Sequence, residues 1–331
     1  MILAASPRVR GLVPALATAF ACSAHAASAT PAAPDNAMGW LQRAAESARN
    51  ASYAGVFVHT NGDRISTVRI THVNASGDET ERIEPLDGTP YEIVRHNDEM
   101  FCYFPDAKTV RLDRRNTAQF FPSILRGTPE AIAKSYDVKL GKSERVLGYD
   151  CQWIRLEPRD NLRYAQRLCS EFNTGLVIRA RTLDEHRHVI EQYTFTDLRL
   201  GPHVGRTDAR SIFEARVKRW TMDSQPREES KSVDTGWAVA NVPAGFQKVT
   251  ELRRTMPGRA QPVSHLVYTD GVASVSVFVE PNAAPERTAE AATEEGTTTF
   301  FVRPMGDQVV TVLGEVPLAT AQQIGRSVAK R

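Results

Sequence analysis

Charge of one sign is nearly missing. Lysine and arginine number 41 against 39 aspartates and glutamates, a formal charge of +2 over 331 residues. A dedicated nucleic-acid binder carries a clear basic excess, so that class is set aside. No apolar run of roughly 18 residues lies in the body of the chain, which excludes an internal transmembrane helix. Catalytic signatures are missing too: the chain contains no GxSxG, HExxH, CxxC or GxGxxG. Leu140-Gly141-Lys142-Ser143 looks like the end of a phosphate-binding loop, but Tyr136 stands where its first glycine belongs. His186 and His188 lack an evident third metal ligand and read as a solvated turn. An enzyme therefore has no positive support, and no cofactor is implied. A hydrophobic content of 41% with 24% charged residues is that of a globular chain, and the length suits two domains.

Cysteine is scarce, at four residues. Cys22 falls in an N-terminal segment that reads as an export signal over residues 1–26. Arg8 and Arg10 supply its basic start, Gly11 to Cys22 its short apolar stretch, and Ala24-His25-Ala26 its cleavage pattern. Phe20 spoils a lipobox at Cys22, so soluble export is expected. Export permits a disulfide. Cys151 and Cys169 lie on two alternating segments around Pro158-Arg159-Asp160-Asn161. A hairpin centred on Asp160 sets these two cysteines face to face, within bridging reach. Two buried thiols are the alternative. Either way Cys102 stays outside the pair, beside Phe101 and Tyr103.

What is present is a string of short strands. Asp35 or Asn36 caps a first helix bearing Met38, Leu41, Ala45 and Ala48, with Trp40 beside them. From Tyr53 the period falls to two: Tyr53, Gly55, Phe57 and His59 face one way, Ala54, Val56 and Val58 the other. Turns at Asn61-Gly62-Asp63, Asn97-Asp98 and Asp184 to His188 join successive strands into an antiparallel meander. Residues 114–136 interrupt it, with Phe120, Phe121, Ile124 and Leu125 clustered ahead of a short helix opened by Pro129. A polar stretch over 221–235, its start nearer Gly201, reads as a linker. Beyond it Asp270-Gly271 signals a type I′ hairpin, and Pro317 starts a last helix carrying Ala321, Ile324 and Val328. The division is 37–205, a linker over 206–235, and 236–331, an α+β arrangement. The aromatic residues Phe57, Phe101, Tyr103, Phe120 and Phe121 either line a cavity or fill an ordinary core, and periodicity alone leans to core.

Several stretches together resemble the RseB/MucB family of envelope-stress regulators: Ser52 to Val58, Arg145 to Gln152, Pro158 to Tyr164, Thr174-Gly175-Leu176, Val242 to Phe246, His265 to Pro281 and Val312 to Pro317. Leu147 and Val272 depart from it slightly. The resemblance covers about Met38 to Val328. It implies a LolA-like open antiparallel half-barrel with helices on its concave face, followed by a smaller C-terminal α+β domain. It implies a periplasmic protein that binds the periplasmic domain of an RseA/MucA-type anti-sigma factor and shields it from site-1 proteolysis. Lipopolysaccharide or lipoprotein acyl chains are the implied releasing signal. The resemblance shifts the aromatic residues toward a lipid site of Phe57, Phe101, Tyr103, Phe120, Phe121 and Leu125. Arg111, Arg114, Arg115 and Arg126 are then available for phosphates, or form a solvated basic loop. Tyr268, Val275, Val277 and Phe278 are the candidates for the partner contact, with sheet core as the alternative. A lipid or lipoprotein carrier is the second reading and an exported hydrolase with an unrecognised carboxylate pair the third. Homo-oligomerisation stays open.

Overall fold

The computed structural model describes residues 33–97, 99–114, 120–223, 233–254, 256, 261–283 and 289–331. The expected leader over residues 1–26, Arg115 and the side chain of Arg114 lie outside this description.

Asn36 caps the first helix, its Oδ1 accepting from Gly39 N at 2.8 Å. This helix, α1 (Ala37–Asn50), buries Trp40, Leu41, Ala44, Ser47 and Ala48. The buried stripe is rotated from the expected one, because Trp40, the largest apolar side chain of the helix, takes a core position and leaves Met38 and Ala45 half-exposed.

Twelve strands then build one sheet. Six run outward: β1 (Tyr53–Asn61), β2 (Arg64–Ala75), β3 (Asp78–Pro85), β4 (Glu92–His96), β5 (Glu99–Phe104) and β6 (Thr109–Arg114). After the short helix α2 (Pro129–Ser135), five return: β7 (Tyr136–Val146), β8 (Tyr149–Pro158), β9 (Ala165–Glu171), β10 (Val177–Leu183) and β11 (Val189–Leu200). β11 closes onto β1 antiparallel, so the first strand lies inside the sheet. A last short strand, β12 (Thr221–Asp223), adds to β6 in parallel. The order is β12-β6-β5-β4-β3-β2-β1-β11-β10-β9-β8-β7, open at both edges. One face carries Tyr53, Phe57, Ile70, Ile83, Ile154, Leu168, Ala180 and Phe195 into a core shared with Trp40 and Leu41 of α1 and Ile132 of α2.

Two expectations change here. First, the segment read as linker from 206 stays on the first sheet. Val204 and Ala209 pack with Ala54 and Val73 on the sheet's other face. Ser211 and Ile212 both donate to the Glu92 carboxylate, and β12 extends the edge. Its polar composition hid these few anchoring residues. Second, Cys151 and Cys169 are joined by a disulfide with Cα atoms 5.4 Å apart, but the hairpin register differs. Cys151 lies opposite Glu171 and Cys169 opposite Trp153, so the turn centres on Asn161 and the bond crosses the ladder diagonally. Asp160 shifts the centre: its carboxylate accepts from Leu162 N at 3.0 Å and grips Arg163, lengthening the loop.

The second sheet is six-stranded and antiparallel. Ahead of it comes β13 (Trp237–Val239). Then follow β14 (Gln247–Arg254), β15 (Val263–Thr269), β16 (Ser274–Pro281), β17 (Ala291–Glu295), β18 (Thr298–Met305) and β19 (Gln308–Gly314). Their order is β14-β15-β16-β19-β18-β17. α3 (Leu318–Arg326) packs on β18 and β19, and β20 (Val328–Lys330) pairs with β13. Pro317 caps α3, and Val328 sits in the following strand, yet both Ile324 and Val328 reach the same core. Asp270-Gly271 is not a two-residue hairpin. Thr269 pairs with Ser274, leaving a four-residue loop from Asp270 to Ala273, whose Asp270 Oδ1 accepts from Val272 N at 2.9 Å and Ala273 N at 2.8 Å. The protein is therefore mostly β, with three α-helices among the described residues. None of these is long and apolar enough to cross a membrane. Residues 33–331 form one compact unit.

Candidate functional site

A cavity of about 230 Å³ lies between the inner face of the first sheet, the 120–126 segment, and the near edge of the second sheet. Alternation along the strands builds its apolar wall. Phe57 on β1, Val68 on β2 and Ile83 on β3 share one face by register, and Leu156, Leu168 and Ala180 continue it on β8 to β10. Phe121 closes the wall from outside the sheet. It stacks on Tyr193 at 5.0 Å and meets Phe57 edge-on at 5.1 Å.

A polar knot interrupts this wall. Tyr193 also stacks on His59 at 4.0 Å. The buried Glu191 carboxylate gathers three groups: His59 Nε2 at 2.9 Å, the Tyr193 hydroxyl at 3.2 Å and Thr182 Oγ1 at 3.0 Å. Burial and the adjacent Glu191 charge push the Tyr193 phenol far above its ordinary value, so it remains a donor. At the second sheet's side, Val272, Ala273, Thr297 and Glu315 complete the lining. Arg126 faces Glu315 at 4.0 Å.

The loop that supplies Val272 and Ala273 also holds the two sheets together. Asp270 is fully buried and pairs with the equally buried Arg163 at 2.8 Å. Tyr136 donates to the same carboxylate oxygen at 3.1 Å. Arg163 in turn binds Asp160 at 2.9 Å and Ala244 O at 2.7 Å, and lies over the Tyr136 and Phe246 rings. Alongside, Arg126 N and Gly127 N both donate to Gly271 O, at 2.7 and 2.9 Å. Gly271 holds φ +94, and a side chain there would meet Gly127 Cα at 3.0 Å, so glycine is required on both counts. Farther along, Thr297 N donates to Asn61 Oδ1 at 2.8 Å and Thr320 Oγ1 to Leu162 O at 2.6 Å.

Of the residues singled out for lipid, Phe57, Phe120, Phe121, Leu125 and Arg126 line the cavity. Phe101 and Tyr103 do not. By register Phe101 shares its face with Val94 and Leu112, and Tyr103 with Glu92, on the sheet side opposite Ile93, which lines the cavity. Met100 to Phe104 is a continuous apolar run, so no alternation marked which members point inward. Arg111 pairs with Asp223 at 3.3 Å and covers the Phe104 ring, outside the lining. Of the partner candidates, Tyr268, Val275 and Val277 are buried in the second core. Phe278 is half-buried on the other face, stacked on His265 at 4.3 Å. Sequence reasoning missed Glu191, Tyr193, Glu315, Arg163 and Asp270 as site residues. Each is an ordinary polar residue on a strand or turn, and only tertiary placement gathers them. His186 and His188 sit on an exposed turn, and no group of three metal-ligating side chains forms among the described residues.

Two β-sheets meet beside a cavity whose apolar wall is interrupted by a polar cluster, and sequence comparison supplies the kind of protein. The chain belongs to the MucB/RseB family. The family's N-terminal domain matches residues 36–215 and its C-terminal domain residues 231–329. The sigma factor AlgU regulatory protein MucB of Pseudomonas aeruginosa is 32% identical over 311 residues, covering 92% of this chain and 94% of that protein. The sigma-E factor regulatory protein RseB of Haemophilus influenzae is 25% identical, covering 96% and 99%. A solved complex of Pseudomonas aeruginosa MucA and MucB superposes with a TM-score of 0.73 at 30% identity, covering 89% of this chain and 99% of that one.

Proposed function

We propose that this protein is a periplasmic negative regulator of an envelope-stress sigma factor. It binds the periplasmic domain of an RseA/MucA-type membrane anti-sigma factor and shields it from the site-1 protease. Lipopolysaccharide or lipoprotein acyl chains release it. Residues 1–26 direct export and are removed. The first sheet serves as a LolA-like half-barrel with helices over its concave face, and its cavity receives an apolar chain.

The observation that carries this reading is the match along both family domains to a relative solved together with MucA. The physics agrees: protection needs only occupancy of the partner, with no chemistry. A releasing ligand must prefer the unbound form, because equal affinity for both forms shifts nothing. The seam between the sheets supplies a place for such a preference, since the Asp270 to Ala273 loop both walls the cavity and carries the buried ion pair.

The test is calorimetric titration of residues 27–331 with the periplasmic segment of the cognate anti-sigma factor, with and without lipopolysaccharide. The expected result is a stable complex that the lipid weakens, together with slower cleavage of the segment by the site-1 protease. No binding to folded protein overturns the proposal.

A further inference from the structure

The cavity is small for a lipid. Ligand pockets commonly run from about 300 Å³ upward, and this one has about 230 Å³. Its charges also run against an anionic headgroup. The ionisable side chains most concerned are Glu191, Glu315, Arg126 and His59. They form two adjoining pairs, His59 with Glu191 at 2.9 Å and Arg126 with Glu315 at 4.0 Å, and burial raises the Glu315 pKa while the Arg126 charge lowers it. Two carboxylates stand there against one guanidinium, and that guanidinium already faces Glu315. His59 is engaged by Glu191. A phosphate or carboxylate here would sit beside the buried Glu191 carboxylate and the half-exposed Glu315, whereas a cation would find two acceptors. Glu191 has also received only three donors for about four acceptor positions.

We propose that this cavity selects a short aliphatic chain ending in an ammonium group over the same chain ending in an anion. The tail lies among Phe57, Phe121, Leu168 and Ala180, and the ammonium meets Glu191 and Glu315. The proposal rests on the reading of the cavity as a chain-binding site. It implies that any phosphate on a releasing lipid is recognised outside this cavity.

The probes are n-octylamine, octan-1-ol and octanoate, each titrated into residues 27–331 by calorimetry at neutral pH. The expected order is amine, then alcohol, then carboxylate, with the amine about tenfold or more tighter than the carboxylate. Glu191→Gln and Glu315→Gln each shrink that ratio. Ala180→Leu, from the first sheet, and Ala273→Leu, from the second sheet's loop, fill the cavity independently and abolish amine binding. Two filling variants guard against one of them misfolding, and circular dichroism checks both. Octanoate binding as tightly as octylamine overturns the proposal, as does no amine binding, or an unchanged ratio in both glutamine variants. Each preparation is also titrated with the anti-sigma segment. Failure there counts against the regulator reading, while the headgroup order stands or falls by itself.

Discussion

Phe121 shows how one side chain serves both packing and site. It is 3% exposed, stacks on Tyr193, and touches Phe57 and Phe195 with ring centres 5.1 and 5.2 Å away. It comes from an irregular segment, so no strand neighbour replaces it. Phe121→Ala is expected to cost about 3–5 kcal/mol of stability, because the transfer term and the cavity term add where the surroundings do not collapse. Urea unfolding measures this, and a loss under about 1 kcal/mol would mean the wall collapses into the gap. Phe57 and Phe121 were legible in the sequence as an aromatic cluster. Phe101 and Tyr103 were equally aromatic but misled, because alternation assigns a face only where polar residues break the run. Glu191 and Glu315 carried no signal at all, since a carboxylate's meaning depends on what surrounds it.

At the scale of elements, alternation and turn residues located most strands, while the local chemistry of turns decided register. Asp160 and Asp270 each spend their carboxylates on backbone amides and a buried arginine, so the first turn centres on Asn161 rather than Asp160 and the second loop is longer than Asp270-Gly271 suggested. The disulfide spans a separation of 18 residues across the β8–β9 hairpin. Reduction, or paired Cys151→Ser and Cys169→Ser replacement, is expected to cost about 2–4 kcal/mol, chiefly by freeing the unfolded chain. Unfolding with and without reductant measures it, and equal midpoints would contradict it. On β14, Glu251 stitches the chain's entry to the second sheet, accepting from Thr235 N at 2.9 Å and from the Arg331 guanidinium at 3.1 Å. Burial raises its pKa, but hydrogen bonds from Lys248 and Thr235 outweigh this and lower it from 4.5 to about 2. A carboxylate with a depressed folded value stabilises above its unfolded value, and that contribution is lost as the carboxylate protonates. Stability should therefore fall as pH drops from 4.5 towards about 2, and Glu251→Gln should flatten part of that fall. An unchanged acid-unfolding profile in the variant would refute the assignment.

For the whole molecule the question is whether two sheets with separate cores unfold as one body. Separate cores favour independence, since domains joined by modest polar contacts move and melt apart. The seam here opposes that. Its centre is an ion pair with neither side chain exposed; a wholly unmatched buried charge costs about 3–5 kcal/mol, and the second carboxylate on Arg163, Asp160, makes the loss of Asp270 smaller than that. Asp270→Ala would take one of the two carboxylate partners from the buried Arg163, leaving Asp160, remove the acceptor of the Tyr136 hydroxyl, and uncap the backbone of the loop that walls the cavity. The penalty falls on the joined state, because neither core loses a member. The unaltered protein should then melt in a single calorimetric transition, and Asp270→Ala should split it into two, with the calorimetric enthalpy exceeding the van't Hoff value. Asp270→Asn, which retains an acceptor but removes the charge, should lie between them. A single transition in Asp270→Ala at an unshifted midpoint would mean that the smaller contacts of Asn61 with Thr297 and Leu162 with Thr320 suffice to join the sheets. A split would mark the loop as the element through which an occupant of the cavity can bias how firmly the two sheets are held.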